Sequence, residues 1–386
     1  MPGGMFELRK DAVTGWWVAV VVERAYERHR FARPASPVAT DRCANCFEPP
    51  GGGVRVRMLK AHAFSVAGVE GEERESPDGR PDGRTPGGED RPAARRMPAG
   101  EERLPARRAP GGEDRLATGH PEPRQAGLGL IADVGSWATI VAPPEHHQAL
   151  AHEDPGIVGE LLARARATIV EAGTAGETEY VQVVQNWGRQ AGALTNHLCL
   201  DTYDLPQIPH RVGEELGGAA RYMIREGTCP YCRLVRDETT SRERLVFEDA
   251  AAVAFAPYAS RSPFELWVVP RRHEADFGRA SDADLTSAAE TLRKVLALLD
   301  VLDGPAYNLV LHTAPLRERV DETYHWHWEI HPRLREIAGL ELGTGLPVNP
   351  ISPEEAVADL RAAAGLDVIE RQEWTAGAWG SRPRGG

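Results

Sequence analysis

The sequence lacks any apolar run approaching the roughly 20 residues that a membrane-spanning helix needs. Residues 1–10 also lack the apolar core of a secretory signal peptide. Basic residues are outnumbered, since 45 Lys and Arg against 57 Asp and Glu give a formal net charge of -12. This balance disfavours general nucleic-acid binding, because a phosphate backbone requires a basic face. We therefore expect a soluble, cytoplasmic protein with neither a membrane nor a nucleic acid as partner.

Cysteine is scarce, with 5 residues in 386. Four of them form two C-x-x-C pairs, Cys43 with Cys46 and Cys229 with Cys232, and Cys199 stands alone. In a cytoplasmic chain such pairs are typical of metal ligands or redox dithiols rather than structural disulfides. Zinc is the expected metal, because tetrahedral sets of thiolate and imidazole ligands suit it.

Large apolar residues are almost missing from residues 71–127. Three related units rich in Pro, Gly, Arg and Glu begin there, at Pro86, Pro98 and Pro110. Such a segment cannot bury enough apolar surface to offset the entropy of ordering it, so we predict a disordered insertion. An interaction tail is the functional alternative.

The rest of the chain alternates strand and helix patterns, and its length suits two or more domains. Strands are predicted at residues 16–22, 54–58, 139–142, 180–185, 245–255, 265–269, 307–312 and 324–331. Helices are predicted at residues 155–172 and 281–302, the second capped by Ser281 and Asp282. Runs of strands with single intervening helices predict an α+β fold built on antiparallel sheets.

The same order of chemical groups occurs twice along the chain. The first series is Cys43, Cys46, His146, Asn186, His197 and Cys199. The second series is Cys229, Cys232, His273, Asn308, His325 and His327. We therefore predict two duplicated halves, residues 1–215 and 216–386, each with two thiols and two imidazoles suited to tetrahedral zinc.

A row of polar residues alternates along the last long predicted strand, so its side chains share one face. The row consists of His325, His327, Glu329 and His331. The residues between them, Trp326, Trp328 and Ile330, are apolar and indicate a packed opposite face. Because buried polar groups need partners, the polar row favours a metal or phosphate site.

The stretch at residues 186–201, NWGRQAGALTNHLCLD, resembles the N-K-G-x-x-A-G-A-S-x-x-H-P-H-x-Q signature of the galactose-1-phosphate uridylyltransferase family. Residues 307–315, 325–333 and 341–349 resemble its second-half signature, and residues 8–18 its opening strand. The resemblance covers nearly the whole chain apart from the insertion. It implies two halves of the histidine-triad superfamily, each an antiparallel sheet with helices, and a homodimer.

The resemblance also implies roles for individual residues. A first zinc site would use Cys43, Cys46, His146 and His197. A second site, for zinc or iron, would use Glu215, His312, His325 and His327, with Glu214 as near a candidate as Glu215. The second C-x-x-C pair points instead to Cys229, Cys232, His273 and His325, and the sequence leaves both sets open. The nucleotide phosphates would be bound by Arg24, Asn186, Gly188, Gly192 and Asn308.

The implied reaction is a double displacement in galactose metabolism. A histidine attacks the α-phosphorus of UDP-glucose, and the resulting uridylyl-enzyme passes UMP to galactose-1-phosphate. Here Cys199 replaces that histidine, Asp201 replaces the glutamine that binds the phosphate, and Leu198 replaces the intervening proline. A thiolate is a strong nucleophile, whereas an ionised carboxylate would repel a phosphate.

Three hypotheses follow for the function. The leading one is a nucleotidyltransferase acting on a nucleotide sugar and a sugar phosphate, with Cys199 and Asp201 at its reacting centre. The second is a nucleotide phosphorylase or hydrolase that uses His327 of the second half. The third is a non-catalytic, zinc-stabilised nucleotide-binding protein.

Overall fold

The computed structural model describes residues 6–21, 31–37, 54–58, 135–143, 149–176 and 178–365. The predicted insertion at residues 71–127 lies outside these ranges, as do Arg24, Cys43, Cys46 and His146. No helix among the described residues is long and apolar enough to cross a membrane.

Two sheets form the β-structure of the described residues. The nine-stranded sheet has the order β3-β4-β6-β5-β10-β11-β9-β8-β7, and all of its neighbouring strands are antiparallel. The smaller sheet has the order β1-β2-β12, in which β12 runs parallel to β2. The strands are β1 Phe6–Lys10, β2 Trp17–Val21, β3 Arg55–Met58, β4 Ser136–Val141, β5 Tyr180–Trp187, β6 Cys199–Leu205, β7 Leu245–Glu248, β8 Ala252–Phe255, β9 Leu266–Pro270, β10 Tyr307–His312, β11 His327–Pro332 and β12 Val348–Asn349.

Strand order is the same on both sides of the central pair β5 and β10. Outward from β5 come β6, β4 and β3, and outward from β10 come β11, β9 and β8. The register places Asp201 opposite Val184, Val184 opposite Val310, and Val310 opposite Glu329. The α+β class with antiparallel sheets is thereby confirmed. The boundary predicted after residue 215 falls inside a helix and stays a prediction.

Two long helices cover one face of the large sheet. The helices are α1 Pro155–Ala175, α2 His210–Glu226, α3 Pro230–Ser241, α4 Asp282–Leu298, α5 Gly339–Thr344 and α6 Pro353–Ala364. Asp154 caps α1 through the amide of Gly156, and Ser281 caps α4 in a capping box. The main core lies between α1, α4 and the sheet, and Trp326, Trp328 and Ile330 are buried in it. The predicted packing of these three residues is confirmed.

A second core lies on the opposite face of the sheet, over the second set of strands. Tyr231 at the start of α3 packs there with Trp267 of β9 and with Tyr324. In the first set of strands, Cys199 and Asp201 are only partly buried on the corresponding face. The two sets of strands therefore share a strand order and differ in what covers this face.

Several predicted elements differ in detail from the structure. Residues 245–255 form the hairpin of β7 and β8 rather than one strand, because the Asp249 side chain accepts hydrogen bonds from the amides of Ala251 and Ala252. Residues 8–18 likewise contain a turn, in which Gly15 has a φ of 80°. Helix α4 ends at Leu298 and continues as a 3-10 turn to Leu302.

Helices α2, α3, α5 and α6 were not predicted. Helix α2 contains several glycines, which weaken a sequence-based helix prediction. One of them, Gly218, is explained by its packing, because a Cβ there would lie 1.9 Å from the carbonyl oxygen of Val13. The helix thus lies directly against the β1–β2 turn, and this contact selects glycine.

Candidate functional site

Cys199 opens strand β6 and shares one face of the strand with Asp201 and Tyr203. Strand β4 lies beside it, with Thr139 opposite Asp201 and Trp137 opposite Tyr203. The rings of Trp137 and Tyr203 stack with their centroids 5.4 Å apart. This face thus offers a thiol, a carboxyl group and an aromatic platform in a row.

Asp201 receives both of its hydrogen bonds on one carboxyl oxygen. Thr139 Oγ1 donates to Oδ1 at 2.8 Å, and Trp137 Nε1 donates to the same atom at 3.4 Å. Among the described residues, Oδ2 has no hydrogen-bond partner. Burial raises the pKa of Asp201 above its ordinary value, and the two donors only partly oppose this. The carboxyl group therefore takes up a proton more readily than an exposed aspartate does.

His197 precedes β6 and is buried. Its Nε2 lies 2.9 Å from the carbonyl oxygen of Ala142, and a carbonyl only accepts, so Nε2 carries the proton. Nδ1 is then the nitrogen with a lone pair, as a metal ligand requires. The other three ligands predicted for this first site lie outside the described residues, so that site stays a prediction.

The loop predicted to surround the phosphates follows β5. Asn186 lies at the end of the strand, and a 3-10 turn, Arg189–Ala191, connects Gly188 to Gly192. Both glycines have positive φ, 79° and 81°. A Cβ on Gly188 would also lie 2.8 Å from Cβ of Ala306. The fifth predicted residue, Asn308, lies directly opposite Asn186 on β10.

Two thiols and two imidazoles meet at the start of helix α3. Potential ligand atoms of Cys229, Cys232, His273 and His325 all lie within 4.8 Å of one another. Cys232 Sγ is 3.2 Å from Nδ1 of His273 and 3.7 Å from Nδ1 of His325. A hydrogen bond from Cys229, together with the two imidazoles, lowers the pKa of Cys232. Such a thiolate with imidazole partners matches the donor set that zinc prefers.

A second group of potential ligands lies deeper, between α2 and the sheet. It consists of Glu215, His312 and His327, all buried and within 4.8 Å of one another. Glu215 accepts from Nδ1 of His312 at 2.9 Å, whereas Glu214 pairs with the exposed His210. His325, which both predicted sets had shared, belongs to the cysteine group. The structure thus distinguishes two groups of potential ligands, whereas the sequence left the assignment of His325 open.

His327 is fully buried. The rings of Tyr231, Trp267 and His312 each lie with their centroids 4.9 Å from its own. Its Nδ1 is 3.0 Å from the carbonyl oxygen of His325, which leaves Nε2 buried with no hydrogen-bond partner in the described part of the chain. A phosphate would reach this ring only if the surrounding aromatic packing opened.

Glu329, also fully buried, is the centre of a charged network beside that group. Four cationic or imidazole groups approach its Oε2, namely Arg211 at 2.6 Å, Arg261 at 2.9 Å, His331 at 3.0 Å and His312 at 3.2 Å. Although burial alone would raise it, the pKa of Glu329 is held well below its ordinary value by Arg261 and His312. The network ties α2 and β10 to β11.

Sequence reasoning missed the residues that support both faces. Thr139 and Trp137 carry no signal of their own, because their importance comes from pairing with β6. Arg211 and Arg261 each precede a glutamate by four residues, a spacing that allows an ion pair on a helix. That spacing was the available signal, but Arg261 does not lie on a helix, and their common partner Glu329 is distant in sequence.

Comparison with known proteins finds relatives with two names, ADP-glucose phosphorylase and galactose-1-phosphate uridylyltransferase. ADP-glucose phosphorylase of Arabidopsis thaliana is 29% identical over 243 residues, which are 62% of this chain and 68% of the relative. Galactose-1-phosphate uridylyltransferase of Thermotoga maritima is 29% identical over 192 residues, 47% of this chain and 60% of that enzyme. A solved uridylyltransferase structure is 30% identical with a TM-score of 0.56, covering 60% of this chain and 76% of that one. No family model matches the chain.

Proposed function

Because the chain belongs to the galactose-1-phosphate uridylyltransferase family, we propose that it transfers a nucleoside monophosphate from a nucleotide sugar to a phosphate acceptor through Cys199. The observation that carries this proposal is the position of Cys199. It takes the nucleophile's place in the family signature, and its side chain is partly exposed on the face of β6 that it shares with Asp201. Tyr203 and Trp137 continue this face as an aromatic platform.

The proposed reaction has two displacements at the α-phosphorus. The Cys199 thiol loses its proton to solvent, and the thiolate forms a sulfur–phosphorus bond as the bond to the leaving sugar phosphate breaks. The electron pair of the broken bond goes to the leaving phosphate oxygen. An acceptor phosphate oxygen then attacks phosphorus, and the sulfur–phosphorus bond breaks to regenerate the thiolate.

Asp201 has a defined part in this scheme. Its Oδ1 is held by Thr139 and Trp137, so Oδ2, which has no hydrogen-bond partner among the described residues, is the oxygen placed to face a nucleotide. In the protonated form that burial favours, Oδ2 donates a hydrogen bond to a phosphoryl oxygen, as an amide would. The repulsion expected between an ionised Asp201 and the phosphate is avoided in that form.

Two metal centres are proposed for the second half. Zinc fits the group of Cys229, Cys232, His273 and His325 by donor chemistry and spacing. A second zinc or an iron ion fits the donor types of Glu215, His312 and His327, since Nε2 of His327 is buried and has no hydrogen-bond partner among the described residues. His312, whose Nδ1 donates to Glu215, would lose that proton on binding the ion. The ion of the second group would join His312 at the end of β10 to His327 at the start of β11. The first-half zinc site, which includes His197, is proposed on the family resemblance.

The identity of the phosphate acceptor distinguishes two candidate activities. A sugar phosphate such as galactose-1-phosphate would make the protein a uridylyltransferase, the name of several relatives. Inorganic phosphate would make it a phosphorylase, a candidate favoured by the ADP-glucose phosphorylase relative, of which 68% is matched. The fully buried His327 supports Cys199 as the nucleophile in both cases. A homodimer is proposed from the resemblance.

The test is a label-exchange assay on the purified full chain loaded with zinc. Labelled UDP-glucose and ADP-glucose are each offered with galactose-1-phosphate or with inorganic phosphate, and products are separated by chromatography. We expect exchange with at least one pair, and its loss in Cys199→Ala. Absence of exchange with every pair, together with nucleotide-sugar binding in a calorimeter, would favour a non-catalytic binding protein instead.

A further inference from the structure

We propose that Asn308 of the second set of strands is a positioning residue, which orients the Asn186 amide toward the phosphate. This inference rests on the proposed function and revises the role that the sequence predicted for Asn308. The sequence placed Asn308 among the phosphate ligands, whereas its contacts assign it to Asn186 and to the loop that follows. The phosphate-binding loop of the first half would then be completed by a side chain of the second.

The hydrogen bonds of Asn308 define both amides. Its Nδ2 donates to the carbonyl oxygen of Ala191 at 2.8 Å and to Oδ1 of Asn186 at 2.6 Å. A main-chain carbonyl only accepts, so the Asn308 atom facing it must be the nitrogen. The Asn186 atom facing that nitrogen must then be its oxygen, because two amide nitrogens would have no acceptor between them. The orientation of both side chains follows from the single carbonyl of Ala191.

Two consequences follow from this arrangement. Asn308 uses both N–H groups of Nδ2 on protein acceptors, so it keeps no donor for a phosphate. Asn186 gives its oxygen to Asn308 and thereby presents Nδ2, a donor, on its other side. Among the described residues, nothing accepts a hydrogen bond from that Nδ2. A phosphoryl oxygen is an acceptor and is the partner this group requires.

The neighbouring contacts of β10 hold the same loop. Ala306, two residues before Asn308, packs so closely that a Cβ on Gly188 would lie 2.8 Å away. Next to Asn308, the hydroxyl of Tyr307 donates to Oε1 of Gln185 at 3.1 Å, in the main core. Strand β10 thus fixes the end of β5, the start of the loop and, through Ala191, the end of its 3-10 turn.

A double-mutant cycle tests this role. Removing one donor to a reacting phosphoryl oxygen costs about 100- to 1000-fold in rate, so Asn186→Ala should lose that much. Asn308→Ala should lose about 10- to 100-fold in kcat, with a smaller change in KM, because only the orientation of the donor is lost. The double variant should be no slower than Asn186→Ala by more than about twofold, since Asn308 acts through Asn186. Independent, multiplicative losses would overturn the proposal.

Asn349 supplies a matched control. Its Nδ2 also donates to two main-chain carbonyls, those of Ser260 and Ser262, at 3.1 and 3.2 Å. Asn349→Ala should therefore lower stability as Asn308→Ala does and leave the rate constant within about threefold, in the range of an indirect effect. An equal loss of kcat in both variants would show a merely structural effect and would overturn the proposal.

A structural readout keeps the inference separate from the proposed function. In a crystal structure of Asn308→Ala, the Asn186 amide should rotate or adopt more than one orientation. If the wild type shows no exchange with any substrate pair, the proposed function fails, and this crystal structure still decides the role of Asn308. An Asn186 amide that keeps its single orientation without Asn308 would overturn the inference.

Discussion

Asp201 and Glu329 lie in one straight row across the centre of the large sheet, joined by the paired residues Val184 and Val310. Three strand spacings separate them, which corresponds to about 14 Å. Each carboxyl group lies one strand outward from the central pair, in equivalent positions of the two sets of strands. Their surroundings differ, because Asp201 meets neutral donors and Glu329 meets cations.

Asp201 is partly buried with no cation beside it among the described residues, so its ionised form lowers the stability of the protein at neutral pH. Its pKa in the folded state is raised, so the folded protein binds the proton more tightly than the unfolded chain. Below the unfolded value of 3.8 both states are protonated and the cost vanishes; it grows as pH rises through the folded pKa. Asp201→Asn keeps the oxygen that accepts from Thr139 and removes the charge. We expect it to gain stability of the order of 1 kcal/mol at pH 7, the size of a desolvation effect.

The measurement is the free energy of unfolding in urea between pH 3.5 and 8. The advantage of Asp201→Asn over the wild type should shrink toward the acid end of this range. Asp201→Ala serves as the control, since it deprives Thr139 of its acceptor and should be less stable than Asp201→Asn at every pH by about 1 kcal/mol. An advantage that is independent of pH would contradict the assignment of a raised pKa.

Neutralising Glu329 should lower the stability of the protein, whereas neutralising Asp201 should raise it. Glu329→Gln leaves Arg211 and Arg261 around a neutral group in a buried site, and breaking such a network costs about 3–5 kcal/mol. Glu248→Gln is the matched control, because Glu248 also pairs with two arginines but is 23% exposed, and it should cost less than about 1 kcal/mol. Urea unfolding at pH 7 compares the two variants. Similar losses in both would mean that burial of the network contributes little.

Metal content tests the group of two cysteines and two histidines at the start of α3. Cys232→Ser should lower the zinc bound by about one ion per chain, because it removes one of four ligands from a tetrahedral site, and it should lower the melting temperature. Cys199→Ser removes a thiol outside that group and should keep the wild-type metal content. Elemental analysis of both purified variants gives the comparison. An unchanged zinc content in Cys232→Ser would show that this group does not bind zinc.

Sequence patterns correctly predicted the structural features that depend on neighbouring residues along the chain. The alternation at residues 325–331 gave the polar row and the buried Trp326 and Trp328, and the capping sequence at Ser281 gave the start of α4. Alternation could not assign His325. Regular β-structure begins only at His327, and the chain before it turns His325 toward Cys232, which is distant in sequence.

Contacts between distant segments could not be predicted from patterns. The bond from Asn308 to Asn186 depends on the register between β5 and β10, which lie 122 residues apart at this pair. The support of Asp201 by Thr139 depends in the same way on the register of β4 with β6. The sequence showed which residues could act as ligands or hydrogen-bond donors. The partners of these residues depend on the register of the strands, which the sequence pattern did not predict.

Mass spectrometry of the full chain after brief exposure to UDP-glucose or ADP-glucose tests the central claim most directly. Peptide mapping under conditions that preserve a sulfur–phosphorus bond should place a nucleoside monophosphate on Cys199. The same treatment of Cys199→Ser should give no such adduct at that position. An adduct on His327 or on any other residue, or exchange of label with no adduct on Cys199 at any time, would contradict the account.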